Sequence, residues 1–307
     1  MHVATDLLER FEAGLNPQDL ASSPIAATIL GYGEISTIFQ IGADTRTAFK
    51  RMPLFRERPS AETYAEQYRF YCNQLTAAGL HLPPDETVIV EVPGRPVVLY
   101  IAQQQIQPES FGHRVIHGME TAGIADLFER IAGEIAKVWT FNQTSRPAVE
   151  VAIDGQLSNW ALADPGNRNT LCYVDTSTPL FRLAGVEQLD PELLLQSAPG
   201  FLRWLIRWLF LADVMNRYYD PRQVYTDLAA NLYKEQRSDL IPLVIDIINR
   251  HLTADQKPLT EAEVAAYYRE DKLIWTLFLA FRRVDRWIKS NLLRKRYEFI
   301  LPGKIER

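Results

Sequence analysis

Residues 154–175, DGQLSNWALADPGNRNTLCYVD, contain the pattern from which the fold is predicted. Apolar runs at 160–163 and 171–174 flank a Pro-Gly turn at 164–167, which predicts a β-hairpin. Folding the hairpin brings Asn159 and Asp175 together at one end. Amide and carboxylate oxygens are ligands that Mg²⁺ prefers, and a second carboxylate, Asp154, precedes them. This combination indicates phosphoryl transfer.

The pattern resembles the catalytic and metal-binding segments of the protein-kinase-like superfamily, closest to its aminoglycoside and choline kinase branch, which phosphorylates small molecules. The resemblance implies that Asp154 is the catalytic base and that Asn159 and Asp175 hold Mg²⁺. Two flanking pairs differ from the family. Ala152-Ile153 replaces the His-Gly or His-Arg pair before the first Asp, and Thr176-Ser177 replaces the Phe-Gly or aromatic-acidic pair after the second.

Residues 29–41, ILGYGEISTIFQI, read as a strand, a glycine turn and a second strand. Glycine permits positive φ and close backbone approach, so N–H groups can point at phosphate oxygens. The resemblance places Gly31, Gly33 and Ser36 beside the phosphates of ATP, although an ordinary hairpin turn would have the same sequence. Lys50, in an alternating stretch, resembles the lysine of the third kinase strand that contacts the α and β phosphates. The alternative is a solvated lysine on an edge strand.

A helix is predicted to start at Pro59-Ser60, with Ser60 as its N-cap, and to end at Gly79. Four residues at helical spacing should face the core: Tyr64, Tyr68, Tyr71 and Leu75. In the kinase-like family, a glutamate of this helix pairs with the strand lysine. Glu66 is our choice for that partner and Glu62 is the alternative. Both glutamates could instead be solvated.

Two further strands are predicted at 87–92 and 96–101 and complete five strands. Residues 102–105, AQQQ, stand where the family has its hinge, so the resemblance puts Gln103 and Gln105 beside the adenine. A long amphipathic helix is predicted at 124–139. Four or five more helices are predicted between 189 and 298, the most apolar of them at 199–211.

The combined prediction is an α+β, bilobal, protein-kinase-like fold. It has an N-terminal helical extension at 1–22, an N-lobe at 23–105 and a mainly helical C-lobe at 106–307. The N-lobe should consist of a five-stranded antiparallel sheet and one helix. The predicted function is ATP- and Mg²⁺-dependent phosphoryl transfer to a hydroxyl of a small molecule. A nucleotide-binding pseudokinase or regulatory module with little turnover is the alternative, and nucleotidyl transfer also stays open.

The composition agrees with a globular protein that has a large core, since 47% of the 307 residues are hydrophobic and 23% are charged. The net charge of −5 argues against nucleic acid as a bulk partner. Cys72 and Cys172 are expected to be small core residues in a reducing, cytoplasmic compartment. No signal sequence or transmembrane span is evident.

Three other patterns have alternative interpretations. His113 and His117 could share a helix face with Glu120, but a metal site would need more ligands, so surface or capping roles are expected. Residues 281–296 read as a basic amphipathic helix that either covers packed residues or contacts an acidic partner or membrane surface. The stretch 227–231, DLAAN, followed by Asp246, imitates the metal pattern, but its flanks read as helices.

Overall fold

A five-stranded antiparallel sheet forms the first part of the chain. The computed structural model describes residues 3–33, 35–162, 170–190, 193 and 212–303. The strands are β1 (Ala27–Tyr32), β2 (Thr37–Ile41), β3 (Thr47–Phe55), β4 (Asp85–Val90) and β5 (Val97–Gln104). Their order in the sheet is β1-β2-β3-β5-β4. The prediction of five antiparallel strands is therefore confirmed.

Helices cover both faces of the sheet because successive strand residues point to opposite sides. Leu99 and Ile101 of β5 share a buried apolar cluster with helix α2 (Arg58–Ala77). The alternate residues Val98 and Tyr100 share a second cluster with helix α1 (Thr5–Gly14). The sheet is thus buried on both faces, and its central strands have almost no exposed residues.

Helix α2 begins earlier than the sequence predicts. Its N-cap is Glu57, Pro59 lies in the first turn, and the Ser60 hydroxyl donates to the Glu57 carbonyl oxygen at 2.7 Å. Proline fits the first turn because that position needs no N–H donor, so it belongs inside the helix and not before it. The predicted end is confirmed, since Gly79 has φ +93° and Leu80 N donates to Leu75 O at 3.0 Å.

The rest of the described chain is mainly helical. Its helices are α3 (Gly112–Val115), α4 (Thr121–Ser145), α5 (Ala212–Arg217), α6 (Pro221–Lys234), α7 (Ile241–His251) and α8 (Glu261–Trp287). Helix α4 buries its predicted apolar face against α6 and α7. The predicted turn at 164–167 and helix at 199–211 lie outside the described residues.

Five short strands lie among these helices. The strands β6 (Val149–Val151), β9 (Phe181–Leu183) and β10 (Val186–Glu187) form one small sheet in the order β10-β9-β6. The strands β7 (Trp160–Leu162) and β8 (Leu171–Tyr173) form the predicted hairpin and pair antiparallel. The first of these sheets was not predicted from the sequence.

The end of α8 differs from the predicted basic amphipathic helix at 281–296. The α-helix ends at Trp287, a π-turn follows at Ile288–Leu292, and the chain is irregular beyond it. Arg282 and Asp285 are buried, whereas Val284 and Trp287 are exposed. The apolar residues Val284 and Trp287 are therefore not packed as predicted, while six of the seven basic residues of the segment stay outside the core.

The structure bears on two further expectations, which concern the cysteines and membrane-spanning helices. Cys72 and Cys172 are both buried free cysteines, as predicted. Among the described residues, no helix combines the length and the apolar character that crossing a membrane requires.

A buried ion network ties both ends of the described chain to β3. Arg51 is 1% exposed and donates to both carboxylate oxygens of Glu12 at 2.7 Å. It also donates to the carbonyl oxygen of Glu298 at 2.7 Å and to its carboxylate at 3.1 Å. Tyr100 and Arg95 donate to Glu12 as well. Burial alone would raise the pKa of Glu12, but Arg51, Tyr100 and Arg95 outweigh it and hold the pKa below its usual value.

We expect Glu12→Gln to lower the free energy of unfolding by about 3–5 kcal/mol at pH 7, because it leaves Arg51 buried without its main counter-charge. A depressed carboxyl pKa stabilises the fold above the ordinary glutamate pKa, and this stabilisation is lost as the pH falls through the folded value. The difference between variant and wild type should therefore shrink below about pH 4. Urea denaturation at several pH values measures it. Glu9→Gln, at an exposed position of α1, is the matched control and should change little.

Candidate functional site

A cleft of about 760 Å³ lies between the five-stranded sheet and the helical part of the chain. Nine of the ten predicted site residues line it: Gly31, Gly33, Ser36, Lys50, Gln103, Gln105, Asp154, Asn159 and Asp175. The tenth, Glu66, does not. The structure thus gathers into one place residues that are up to 144 positions apart in the sequence, from Gly31 to Asp175.

The glycine turn between β1 and β2 forms one rim of the cleft. Gly33 N donates to Ser36 O at 3.0 Å, which closes the turn tightly. A Cβ at Gly33 would lie 2.5 Å from Ser36 Oγ, so a larger residue would require the Ser36 hydroxyl to rotate away. Gly31 has more room, since its Cβ would be 3.4 Å from the Ile38 side chain. Gly33 is thus the more closely packed of the two glycines.

Lys50 lies at the base of the cleft and not at an exposed sheet edge. Strand β3 is paired on both sides, and the Lys50 side chain is only 7% exposed. Its Nζ donates to Val174 O at 2.8 Å and lies 3.4 Å from Asp175 Oδ1. The Asp175 side chain is 39% exposed, so it faces both the lysine and the open cleft. A cation and a carboxylate therefore meet at the wall of the cleft.

Asp154 and Asn159 are held in one short loop. The Asp154 carboxylate accepts from Gln156 N at 3.0 Å, and its carbonyl oxygen accepts from Asn159 Nδ2 at 3.2 Å. That bond uses the amide nitrogen of Asn159 and orients the side chain so that Oδ1 can serve a ligand. Gly155 is required here, because its Cβ would lie 2.6 Å from the Val224 side chain of α6.

The hairpin β7–β8 joins this loop to Asp175. Trp160 pairs with Tyr173, and Val174 N donates to Asn159 O at 2.9 Å. Asn159 is therefore opposite Val174, the residue directly before Asp175. Ser177 Oγ donates to Asp175 Oδ1 at 2.9 Å and fixes that oxygen. The sequence prediction that the hairpin brings Asn159 and Asp175 to one end is confirmed in its backbone geometry.

Tyrosines of α2 anchor the segment after Asp175. The Tyr64 hydroxyl donates to Ser177 O at 2.8 Å, and the Tyr68 hydroxyl lies 3.3 Å from Thr176 Oγ1. Thr176 and Ser177 are both buried. The Thr176-Ser177 pair, which departs from the family pattern, therefore has a structural use as the attachment of the Asp175 segment to α2.

The predicted partnership of Glu66 with Lys50 is wrong. Glu66 is exposed on α2, and Glu62 is exposed and pairs with Arg58 at 2.8 Å. A helix residue turns by 100° per position, so Glu66, midway between the buried Tyr64 and Tyr68, must point away from the sheet. The carboxylate that Lys50 contacts belongs to Asp175 instead.

The two hinge glutamines make side-chain contacts of their own. Gln103 is buried, and its Nε2 donates to Thr176 Oγ1 at 3.1 Å. Gln105 Nε2 donates to Gln40 Oε1 at 3.4 Å, while Gln105 Oε1 is buried without a hydrogen-bond partner among the described residues.

The helical wall of the cleft contains charged and aromatic side chains that the sequence analysis did not select: Arg217, Lys234, Tyr267, Tyr268, Asp271 and Trp275. Asp227, from the second pattern, also lines this wall, but it lies on α6 as its flanks predicted. Asp246 is exposed on α7 and does not line the cleft. A helix-period analysis of α8 could have identified Tyr267, Asp271 and Trp275, which are spaced four apart.

Burial raises the pKa of Asp227 to about 7, and the nearby Asp271 adds to the rise. Lys234, Tyr267 and Arg217 act in the opposite direction without cancelling it. This wall therefore holds a carboxyl group that changes charge near neutral pH.

His113 also faces the cleft. Burial lowers its pKa to about 4, with further contributions from Arg114 and Lys234, so the ring is neutral at pH 7. Within the described part of the chain, no three His, Cys, Asp or Glu side chains are grouped as a metal site.

Comparison with known proteins gives a family but no activity. The model of the DUF6206 family, described as a family of unknown function, matches residues 18–286. The chain belongs to this family. No curated protein sequence matches it. Among solved structures, a mutant of the PknI kinase domain of Mycobacterium tuberculosis matches with 14% identity over 89% of this chain and 100% of that one, at a TM-score of 0.36. At this level of similarity, the function of this DUF6206 member has to be argued from its own geometry.

We expect Asp227→Asn to raise the melting temperature at pH 8 and to leave it nearly unchanged near pH 4. A raised carboxyl pKa means that the fold loses stability as the pH rises from about 3.9 towards 7, and asparagine cannot ionise. Thermal melts between pH 4 and pH 8 measure the effect. Asp246→Asn, at an exposed site, is the control. A stabilisation by Asp227→Asn that is equal at every pH would contradict the assignment.

Proposed function

We propose that this protein is an ATP- and Mg²⁺-dependent phosphotransferase that acts on a hydroxyl group of a small molecule. The proposal includes a bilobal, kinase-like arrangement divided near residues 22 and 105, and a relationship to the aminoglycoside and choline kinase branch. It rests mainly on one observation: the buried Lys50 amine meets the Asp175 carboxylate at the base of the cleft, at 3.4 Å.

The surrounding groups support this proposal. A buried lysine that is held by one carboxylate and one carbonyl oxygen can transfer its hydrogen bonds to phosphate oxygens at little cost, because it remains paired with negative charge. The tight turn at Gly33 and Ser36 lies on the same cleft. The absence of a side chain at Gly33 leaves its backbone accessible to a phosphate.

The residues present also fit a magnesium ion. Asn159 contributes an amide oxygen, and Asp175 has a second carboxylate oxygen besides the one that Ser177 and Lys50 contact. Two protein oxygens suffice, since Mg²⁺ usually keeps several waters and takes its remaining ligands from phosphate. When bound, the ion would neutralise charge on the β and γ phosphates.

Asp154 has a separate task in the proposed reaction. Its carboxylate is fixed by Gln156 N and lies in the same loop as Asn159. It would orient the acceptor hydroxyl and accept its proton as the hydroxyl oxygen bonds to the γ-phosphorus of ATP and the bond from that phosphorus to ADP breaks. The acceptor would lie against the helical wall around Tyr267 and Asp271, which lines the cleft opposite the sheet.

A nucleotide-binding module with little turnover is the second candidate. The observation that favours it is the exposed position of Glu66, because no carboxylate of α2 then orients Lys50. Tyr64 and Tyr68 occupy the inward face of α2 where such a carboxylate would be needed. A measurement of ATP turnover distinguishes the two candidate functions, because only the phosphotransferase should consume ATP at an appreciable rate.

ATP with Mg²⁺ should raise the melting temperature of the wild-type protein, by an amount that grows with nucleotide concentration over its Kd. Asp175→Asn should remove the metal-dependent part of the shift, and Lys50→Met should weaken the shift with or without metal. Glu66→Gln is the matched control and should behave as wild type, since Glu66 is exposed. If no nucleotide at millimolar concentration changes the melting temperature, the cleft is not a nucleotide site.

Asp154→Asn should bind nucleotide almost as well as wild type while its turnover falls roughly 10²–10⁴-fold, the usual effect of a positioned proton acceptor. ATP consumption with a panel of small hydroxylated metabolites measures turnover, and the thermal shift measures binding. Asp246→Asn should match wild type in both. Negligible turnover by wild type and variant alike, with nucleotide still bound, would favour the binding module.

A further inference from the structure

The chain forms a turn after α8 whose tip is apolar. Lys295 N donates to Lys289 O at 2.8 Å and closes the turn. At its tip, Leu292 is 64% exposed and Leu293 is 55% exposed. Trp287, just before the turn, is exposed as well. Three large apolar side chains are thus exposed within seven consecutive residues, and an apolar patch at the surface marks a contact site.

A second cleft, of about 420 Å³, opens at the base of this turn. It lies between the end of β3, the connection between β4 and β5, and the segment that follows α8. Five basic side chains and one acidic side chain line it: Arg56, Arg95, Lys289, Lys295, Arg296 and Glu298. The cleft is therefore strongly basic, although the whole chain has a net charge of −5.

Only part of this positive charge is neutralised within the described residues. Arg95 and Arg296 pair with Glu298, and Lys289 pairs with Asp285 at 2.7 Å. The structure gives no ion pair to the exposed Arg56 or Lys295 in the part of the chain it describes. Two cations at the cleft are thus available to an anionic ligand.

The two features together identify the kind of partner. A soluble anion would account for the basic cleft but not for the leucines beside it. An apolar partner would account for the leucines but not for the cations. An anionic lipid surface presents phosphate above hydrocarbon, and amphipathic segments with basic and apolar residues bind such surfaces.

We propose that the turn 289–295 and the basic cleft at its base form a peripheral binding site for anionic membrane lipids. Leu292 and Leu293 enter the boundary between headgroups and acyl chains. Arg56 and Lys295 bind a lipid phosphate in the cleft. This site is separate from the larger cleft that contains Lys50, so it stands independently of the proposed catalytic activity.

Flotation with vesicles tests the proposal on the full chain. The wild-type protein should float with vesicles rich in phosphatidylserine, but not with pure phosphatidylcholine, and high salt should weaken the binding. Lys295→Gln should reduce binding about fivefold, the usual effect of one basic residue at an anionic surface. The double change Leu292→Ser and Leu293→Ser should reduce it roughly tenfold or more, because buried leucines contribute most of the apolar contact.

Matched controls lie elsewhere on the surface. Arg46→Gln removes a charge at a position that is 91% exposed, and Val186→Ser removes an exposed apolar side chain. Both variants should float as wild type, and all variants should keep the wild-type melting temperature, since every altered side chain is exposed.

Three outcomes would overturn the proposal. The first is equal flotation with neutral and anionic vesicles. The second is stabilisation by inorganic phosphate without any vesicle binding, which would indicate a soluble anion. The third is self-association that the double leucine change abolishes, which would indicate a second copy of the chain as the partner.

Discussion

The need to neutralise two adjacent buried cations on β3 shapes much of this structure. A buried charge is costly unless it is paired and hydrogen-bonded. Successive side chains of a strand point to opposite faces, so Lys50 and Arg51 cannot share a partner. Lys50 meets Asp175 on the cleft side, and Arg51 meets Glu12 and Glu298 on the other. The hairpin β7–β8 and both ends of the described chain are therefore held against one strand.

Tyrosines take the place of a charged link between α2 and the site. The Tyr64 hydroxyl donates to Ser177 O, and the Tyr68 hydroxyl lies within hydrogen-bond distance of Thr176 Oγ1, both just after Asp175. The Tyr71 hydroxyl donates to Ala152 O, just before Asp154. Burial raises the pKa of each tyrosine above its usual value, so they stay neutral and keep their donors. A neutral anchor of this kind holds the site without competing for Lys50.

Strands, turns and hairpins that depend on neighbouring residues could be predicted from the sequence. The alternation around Lys50, the Gly33 turn and the hairpin after Asn159 all specify their own geometry, and nine of ten selected residues line one cleft. The prediction for Glu66 was wrong because it followed the family resemblance, whereas the helix phase relative to Tyr64 and Tyr68 points Glu66 away from the sheet. The burial of Arg282 and the exposure of Val284 and Trp287 at the end of α8 could not be predicted either. Arg282 is buried against residues such as Phe299, a contact that exists only after folding.

The partners of Arg51 define how much of the chain folds as a unit. The DUF6206 model matches residues 18–286, which include Arg51 but neither Glu12 nor Glu298. A fragment cut at those limits would contain all nine selected residues of the cleft, yet the Arg51 guanidinium would be left in an apolar interior with neither of these counter-ions. We therefore expect a fragment limited to residues 18–286 to be less stable than the full chain.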